Sequence, residues 1–470
     1  MSKKPNVIVV FADQMRAHVL GCYGNKTVPT PHFDAMAKNG AIFKNGISTW
    51  PVCSPYRAML LSGLYPMKNG TPTNDLGMRD DIPTVAKVYK DAGYQTGYIG
   101  KWHLESNRNP FVPAHRRQGF DYWAVNNCTH KYLDHFYCTD TPEEIHFKGY
   151  DSVIQTDLAI DYIKKNADNP FCLFMSWGPP HDPYLSVPQE YMDRISPEEI
   201  VLRDNVSEHA IVDELLERDT PPEALLSRRA KARENYNDDE KLKSQILHGY
   251  YAHTTALDDC IGKLRSTLKE NGLAEDTILL FTSDHGDMLG SHRMGSKQNP
   301  LEESINIPFL LEYPKSIQAG TVTDELIAPI DVMPTLLSLC DIECPEVDGL
   351  DISKAALRTE GNFRDAVLIM KLTKGGNPYN LNAMTPWRGV RTKQYTYANL
   401  WDKGPWMLFD NIADPYQLNN LIDNPEYENC RDQLEKRMRE LMKEAGDPGD
   451  TEKIMAYVAQ RKEDWDSLES

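Results

Sequence analysis

Five short apolar runs punctuate the chain: Asn6 to Ala12, Tyr94 to Ile99, Phe171 to Ser176, Thr277 to Ser283 and Ile307 to Glu312. Runs of about four to eight residues without polar alternation predict strands buried on both faces. Between them, helical spacing of apolar positions predicts helices over Pro31 to Asn39, Thr84 to Ala92, Val153 to Asn166 and Lys241 to Glu270. Strands alternating with helices predict an α/β domain around a large, mainly parallel sheet. From Ser196 to Glu240 the chain is strongly charged and irregular in pattern, which predicts a solvated insertion.

Near residue 360 the pattern changes. Ala366 to Leu372, Trp387 to Thr392, Gln394 to Asn399 and Trp406 to Phe409 read as short strands joined by tight turns, and a helix is expected over Arg431 to Ala445. This predicts a smaller α+β subdomain, an antiparallel sheet with one packed helix, over 361–470, after a catalytic domain over 1–360.

Composition narrows the function. With 470 residues, 40% apolar and 26% charged, the chain falls in the globular range. Sixty-nine acidic against 51 basic residues give a net charge of −18, which argues against a nucleic-acid partner because that binding is driven by basic charge. An anionic substrate would need a local basic pocket. No apolar run approaches the roughly 20 residues of a membrane span, so no membrane partner is expected. The first apolar run is broken by Asp13, Gln14 and Arg16 with no cleavage site after it, and the nine scattered Cys show no paired framework. Both features predict a cytoplasmic protein.

Polar residues cluster where the predicted strands end. Asp13 and Gln14 follow the first, Lys101 and His103 the second, His181 the third, and Asp284 and His285 the fourth. Ligands of open α/β sheets bind at the carboxyl ends of strands, so groups far apart in sequence can converge there. Asp13, Gln14, Asp284 and His285 offer mostly oxygen ligands with one imidazole. That set suits a hard divalent cation, Ca²⁺ first, with Mg²⁺ or Mn²⁺ as alternatives. Cys53 precedes Pro55 and a helix-like stretch, which puts it at a helix N-terminus, where anions are favoured, with Arg57 one turn further on.

Cys53, Pro55 and Arg57, followed by Leu61, Ser62, Gly63, Leu64, Tyr65 and Pro66, resemble the signature of the type I, formylglycine-dependent sulfatases of the alkaline-phosphatase-like superfamily. Asn6 to Arg16, Gly97 to Leu104, Thr282 to Lys297 and Leu408 to Leu421 resemble further segments of that family, so the likeness spans nearly the whole chain. It implies an alkaline-phosphatase-like mixed sheet and conversion of Cys53 to formylglycine by a formylglycine-generating, sulfatase-maturating enzyme. It also implies a metal held by Asp13, Asp284 and His285, with Gln14 as the fourth ligand. The hydrated formylglycine would attack sulfur and later expel sulfate. Arg57 and Lys101 would stabilise the nucleophile, His103 would act as base, and His181 with Lys297 would neutralise sulfate and protonate the leaving oxygen. Two departures stand out. Gln14 replaces the Asp common in the family, as in related phosphonate monoester hydrolases and choline sulfatases, and Tyr56 occupies a position where Ser or Ala is common.

The stretch Pro113 to Tyr150, with Cys128, Thr129 and His130, resembles carbohydrate sulfatases, especially those acting on 6-O-sulfated N-acetylglucosamine. Trp387 beside Arg388 suggests a sugar platform with a carboxylate or hydroxyl contact, and Asn74 is a further candidate for substrate contact. The expected activity is hydrolysis of a sulfated saccharide. The alternatives are a phosphonate monoester or phosphodiester hydrolase using the same site, and a non-catalytic sulfated-glycan-binding protein if Cys53 stays unmodified.

Overall fold

A computed structural model of the protein describes residues 4–105, 109–206, 212–375 and 384–469. Its centre is a nine-stranded sheet: β1 (Asn6–Asp13), β2 (Ala41–Ile47), β3 (Gln95–Lys101), β4 (Tyr122–Asn126), β5 (Phe171–Pro180), β6 (Thr277–Ser283), β7 (Asn306–Ile307), β8 (Phe309–Glu312) and β9 (Thr321–Ile327). Across the sheet the order is β9-β2-β8-β6-β1-β5-β3-β4, with β7 pairing β2 at one side. Burial on both faces explains the unbroken apolar runs. In β1, Val7, Val9 and Phe11 enter one core while Ile8, Val10 and Ala12 enter the other. Helices Pro31–Asn39, Asp151–Lys165 and His248–Glu270 cover the second face, and Cys53–Ser62, Val85–Asp91 and Val332–Leu339 the first.

The sheet is mixed and mainly parallel, as expected. The five strands from β6 to β4 are parallel, but β8 runs antiparallel to both β6 and β2. The single strand expected over Ile307 to Glu312 is two strands separated by Pro308, which has no N–H to give a ladder. Burial shapes the hydrophobic pattern identically for either direction, so the pattern could not signal the reversal. The expected helix Lys241 to Glu270 contains a π turn over Leu242–Leu247 before the regular helix His248–Glu270.

The charged segment Ser196 to Glu240 is not simply solvated, although its residues 207–211 lie outside the described ones. It forms helices Val212–Asp219 and Pro222–Tyr236 and buries Leu215, Leu216, Asp219 and Arg228. Asp219 pairs with Arg228 at 3.1 Å and accepts the backbone N–H groups of Met384 and Thr385. Asp219 points inward because the second subdomain supplies its backbone N–H partners, and Arg228 follows it through the ion pair.

That subdomain carries an antiparallel sheet, β10 (Ala366–Lys371), β11 (Trp387–Thr392), β12 (Tyr395–Leu400) and β13 (Gly404–Asp410), in sequential order. Helix Glu428–Glu444 packs Leu434, Met438 and Leu441 into its core. A last helix, Thr451–Glu469, was not anticipated. Among the described residues, no helix is long and apolar enough to cross a membrane.

Candidate active site

Strands β6, β1, β5 and β3 are consecutive neighbours in the sheet and end on the same edge. Asp13 closes β1 and Lys101 closes β3, while His181 follows β5 and Asp284 with His285 follows β6. Gln14 and His103, just beyond their strands, adopt positive φ of 71° and 55°. Such left-handed backbone is costly for residues with a Cβ and recurs at functional turns. Cys53 opens helix Cys53–Ser62, every residue of which is buried. Asn74 Oδ1 accepts the Ser54 N–H at 3.0 Å, and Ser54 Oγ donates to the His103 carbonyl at 2.6 Å. The helix start is therefore tied to the loop carrying His103.

The groups converge. Cys53 Sγ lies 3.3 Å from His285 Nε2 and 3.7 Å from Asp13 Oδ1. Arg57 reaches Asp13 and Asp284, each at 3.1 Å, and also donates to Ser176 Oγ and the Lys101 carbonyl. Lys101 Nζ donates to Asp13 at 2.6 Å. Lys297 Nζ hydrogen-bonds His181 Nε2 at 2.8 Å and donates to the Gln14 side-chain carbonyl. The Gln14 amide donates in turn to Asp287, which also accepts the Tyr184 hydroxyl at 2.6 Å. Gln14 thus links Lys297 to Asp287. His130 stacks on His181 with ring centroids 4.4 Å apart and planes 1° from parallel.

The cluster supplies the local basic pocket that an acidic protein needs for an anion. Burial pushes Asp13 up, but the Lys101 ammonium, with Arg57 and His285, outweighs it and holds the carboxyl well below its usual range. Asp284 goes the other way, to about 6, because burial and the neighbouring Asp13 charge disfavour a second anion. Burial and Asp13 raise the Cys53 thiol, yet Lys101, Lys297 and His285 bring it well below an ordinary thiol. Burial and then Lys297 hold His181 well below the usual imidazole range, so it is neutral and accepts from Lys297. Burial lowers His103, but hydrogen bonds to Asp75, Cys128 and Cys53 carry it up to about 10.

Asp13, Cys53, Asp284 and His285 each present a ligand atom, all within 4.8 Å of one another, making a candidate metal site. His285 Nδ1 lies 3.0 Å from the Gly286 carbonyl, which can only accept. In the neutral form that a metal ligand requires, the ring carries its lone pair on Nε2, toward the two carboxylates. Two carboxylates and one imidazole fit a hard divalent cation.

Asn74 joins the site as a cap of the Cys53 helix. Trp387 and Arg388 do not join it, and their expected sugar contact is corrected. Trp387 is completely buried in the second subdomain, with its indole N–H on the Gln298 carbonyl. Arg388 is equally buried, and Asp447 takes its guanidinium at 2.7 and 3.2 Å. Four members of the site were not singled out from sequence. Asp287 stands three residues after Asp284 and was open to detection by proximity, whereas Asp75, Tyr184 and Ser176 carry no local signal.

Residues 5–342 match the family profile described as Sulfatase, and residues 290–444 that of the N-sulphoglucosamine sulphohydrolase C-terminal region. The chain belongs to the sulfatase family and is a sulfuric ester hydrolase with the alkaline-phosphatase-like fold. An "Ulvan-active sulfatase" of Formosa agariphila is 39% identical over 454 residues, covering 94% of this chain and 82% of the relative. An "N-acetylglucosamine-6-O-sulfatase" of Bacteroides thetaiotaomicron is 28% identical, covering 97% and 89%. A structure solved in complex with its substrate, D-glucosamine-2-N,6-O-disulfate, superposes with a TM-score of 0.82 at 25% identity, covering 95% of this chain and all of the other.

Proposed function

We propose that the protein hydrolyses sulfate esters of a saccharide, with 6-O-sulfated N-acetylglucosamine or a related glycan fragment as the favoured substrate. The observation that carries the reading is Cys53 at a buried helix start, within 3.3 Å of His285 and 3.7 Å of Asp13, ringed by Arg57, Lys101 and Lys297. The carbohydrate class is supported by the relatives named for sugar sulfates. Burial of Cys53 requires its maturating enzyme to act before folding is complete. The nine unpaired thiols suit a reducing cytoplasm.

Formylglycine at Cys53 would supply an oxygen nucleophile for sulfur, and a cation held by Asp13, Asp284 and His285, Ca²⁺ in this reading, would supply Lewis acidity. Arg57 bridges the two carboxylates and fixes the helix that carries position 53 against β3 and β5. Lys101 sets a positive charge beside Asp13, where it would face the sulfate. The His181–Lys297 pair holds a proton for the leaving alcohol oxygen, since neutral His181 accepts from the ammonium. His103, held beside Asp75 with its carbonyl bonded to the start of the Cys53 helix, is placed to serve as base.

The test is sulfate release by protein matured at Cys53, from N-acetylglucosamine 6-sulfate, other sulfated sugars, an aryl sulfate and a phenylphosphonate monoester. Release from a sulfated sugar that Cys53→Ala abolishes is the expected result. Preference for the phosphonate by orders of magnitude would replace this reading with phosphonate hydrolysis. An unmodified Cys53 in protein from the native source, found by peptide mass analysis, would favour a binding role.

A further inference from the structure

Helix Thr451–Glu469 lies beyond both family-profile matches, yet it touches the walls of the site. Arg461 donates to the Gly70 carbonyl at 3.4 Å and to the Gly77 carbonyl at 2.9 Å. The Trp465 indole packs directly against Gly77, where an added Cβ would come within 1.8 Å of the ring. The indole N–H donates to Glu105 Oε1 at 3.1 Å, and Arg116 stacks over the ring at 4.3 Å while pairing with the same Glu105 at 2.6 Å. Gly77 is two residues from Asp75, and Glu105 is two residues from His103. Asp75 lies 3.7 Å from His103 Nε2, and Asn74 caps the Cys53 helix.

We propose that Trp465 and Arg461 are positioning residues for the reaction: together they staple the loop bearing Asn74 and Asp75 to the loop bearing His103. The inference rests on the reading of this site as the sulfatase centre. The physical reason is reach. Near Cys53 the Asp75–His103 contact joins the two loops directly, and Ser54 joins them indirectly by bonding both Asn74 and the His103 carbonyl; Asn74, Asp75 and His103 all lie outside the strands. A rigid aromatic side chain anchored at both ends removes the sliding motion that would separate Asp75 from His103, and loss of alignment by about 1 Å can cost on the order of 100-fold in rate.

The experiment uses the full-length protein in two states. In the matured enzyme, Trp465→Ala is expected to lower kcat for sulfate release at least ~10-fold with KM within ~3-fold, a pattern of lost transition-state alignment and not of lost binding. In an Asp75→Ala background the same change should cost less than ~2-fold, because the pair it aligns is already gone. Gly77→Ala should reproduce the defect in the wild-type chain and add nothing once Trp465 is Ala. In the unmatured protein, Trp465→Ala should speed alkylation of Cys53, read by peptide mass analysis, at least ~10-fold through local opening, while the melting transition stays cooperative. Trp465→Phe, which keeps the ring but drops the N–H bond, provides the variant least prone to misfolding and should fall between the two. Unchanged kcat and unchanged Cys53 alkylation in Trp465→Ala, or a full multiplicative loss in the Asp75→Ala background, would overturn the proposal. The alkylation arm needs no turnover, so a failure of the sulfatase reading itself would be seen separately as a wild-type enzyme that releases no sulfate.

Discussion

Arg57 and Arg388 are both fully buried and both paired with aspartate, yet their surroundings differ in one respect. Arg57 is shared between Asp13 and Asp284, and Lys101 competes for Asp13. Arg388 and Asp447 bind each other two-pronged, and their remaining contacts are the Lys371 carbonyl, the Gly449 N–H and the Trp401 ring. The second pair is closed. The first is open, with more cations and ligand atoms than mutual pairing consumes, and its charges push one another's proton affinities apart. Burial of charge therefore does not mark a functional site by itself; shared, competing charge does.

Opening either arrangement separates the two regions. Arg57→Ala leaves two buried carboxylates without their common cation, and sulfate release should fall at least ~1,000-fold, the order lost when a fixed stabiliser of developing charge is removed. A steady-state assay with a cation titration checks it; activity within tenfold of wild type would erase the distinction. Arg388→Met leaves Asp447 alone in the interior and should cost about 3–5 kcal/mol of stability, while kcat/KM per folded molecule stays within ~2-fold. Denaturant unfolding and assay of the same samples decide it.

Gln14→Leu tests whether the link between Lys297 and Asp287 belongs to the open region. The substitution should lower kcat/KM about 10–100-fold, the range seen when groups orienting a metal or anion site are lost, with little change in melting temperature. A buried acid outside both regions gives a pH-dependent comparison. Burial raises Asp151 to about 7, and the Gln155 amide donates to it at 2.6 Å. Its folded form binds the proton more tightly than the unfolded chain. Its contribution is thus most favourable below about pH 4 and is lost as pH rises to about 7. Asp151→Asn should flatten the stability profile across that window in unfolding measurements at successive pH values. The smallest effect is expected at Trp387→Phe, which forfeits one hydrogen bond to Gln298 worth about 1 kcal/mol. KM for the sugar should not move, and a rise of tenfold or more would reinstate Trp387 as a substrate contact.

Much of the site was legible because its residues stand at strand ends. Asp13, Lys101, His181, Asp284 and His285 follow apolar runs that only a two-sided core explains, and Cys53-x-Pro-x-Arg57 marks a helix start. Strands such as β2 and β9 escaped because Lys44 interrupts one run and the exposed alternate residues of an edge strand dilute the other. Trp387 and Arg388 misled for a related reason. An aromatic next to a basic residue is the same two letters whether the pair faces a sugar or fills a core.

What the sequence determined by itself was burial and chemistry: which segments are two-sided strands, which helix begins at Cys53, and which ionisable groups end up at one edge of a sheet. Partnership was decided only by the tertiary structure. Asp287 answers Gln14, Asp219 answers backbone groups of the second subdomain, Asp447 closes Arg388, and Trp465 reaches across nearly 390 residues to Gly77. Periodicity records how often a side chain leaves water, because the repeat of the backbone imposes it locally. A charge or a ring meets its partner through the packing of distant elements, and no local repeat carries that information.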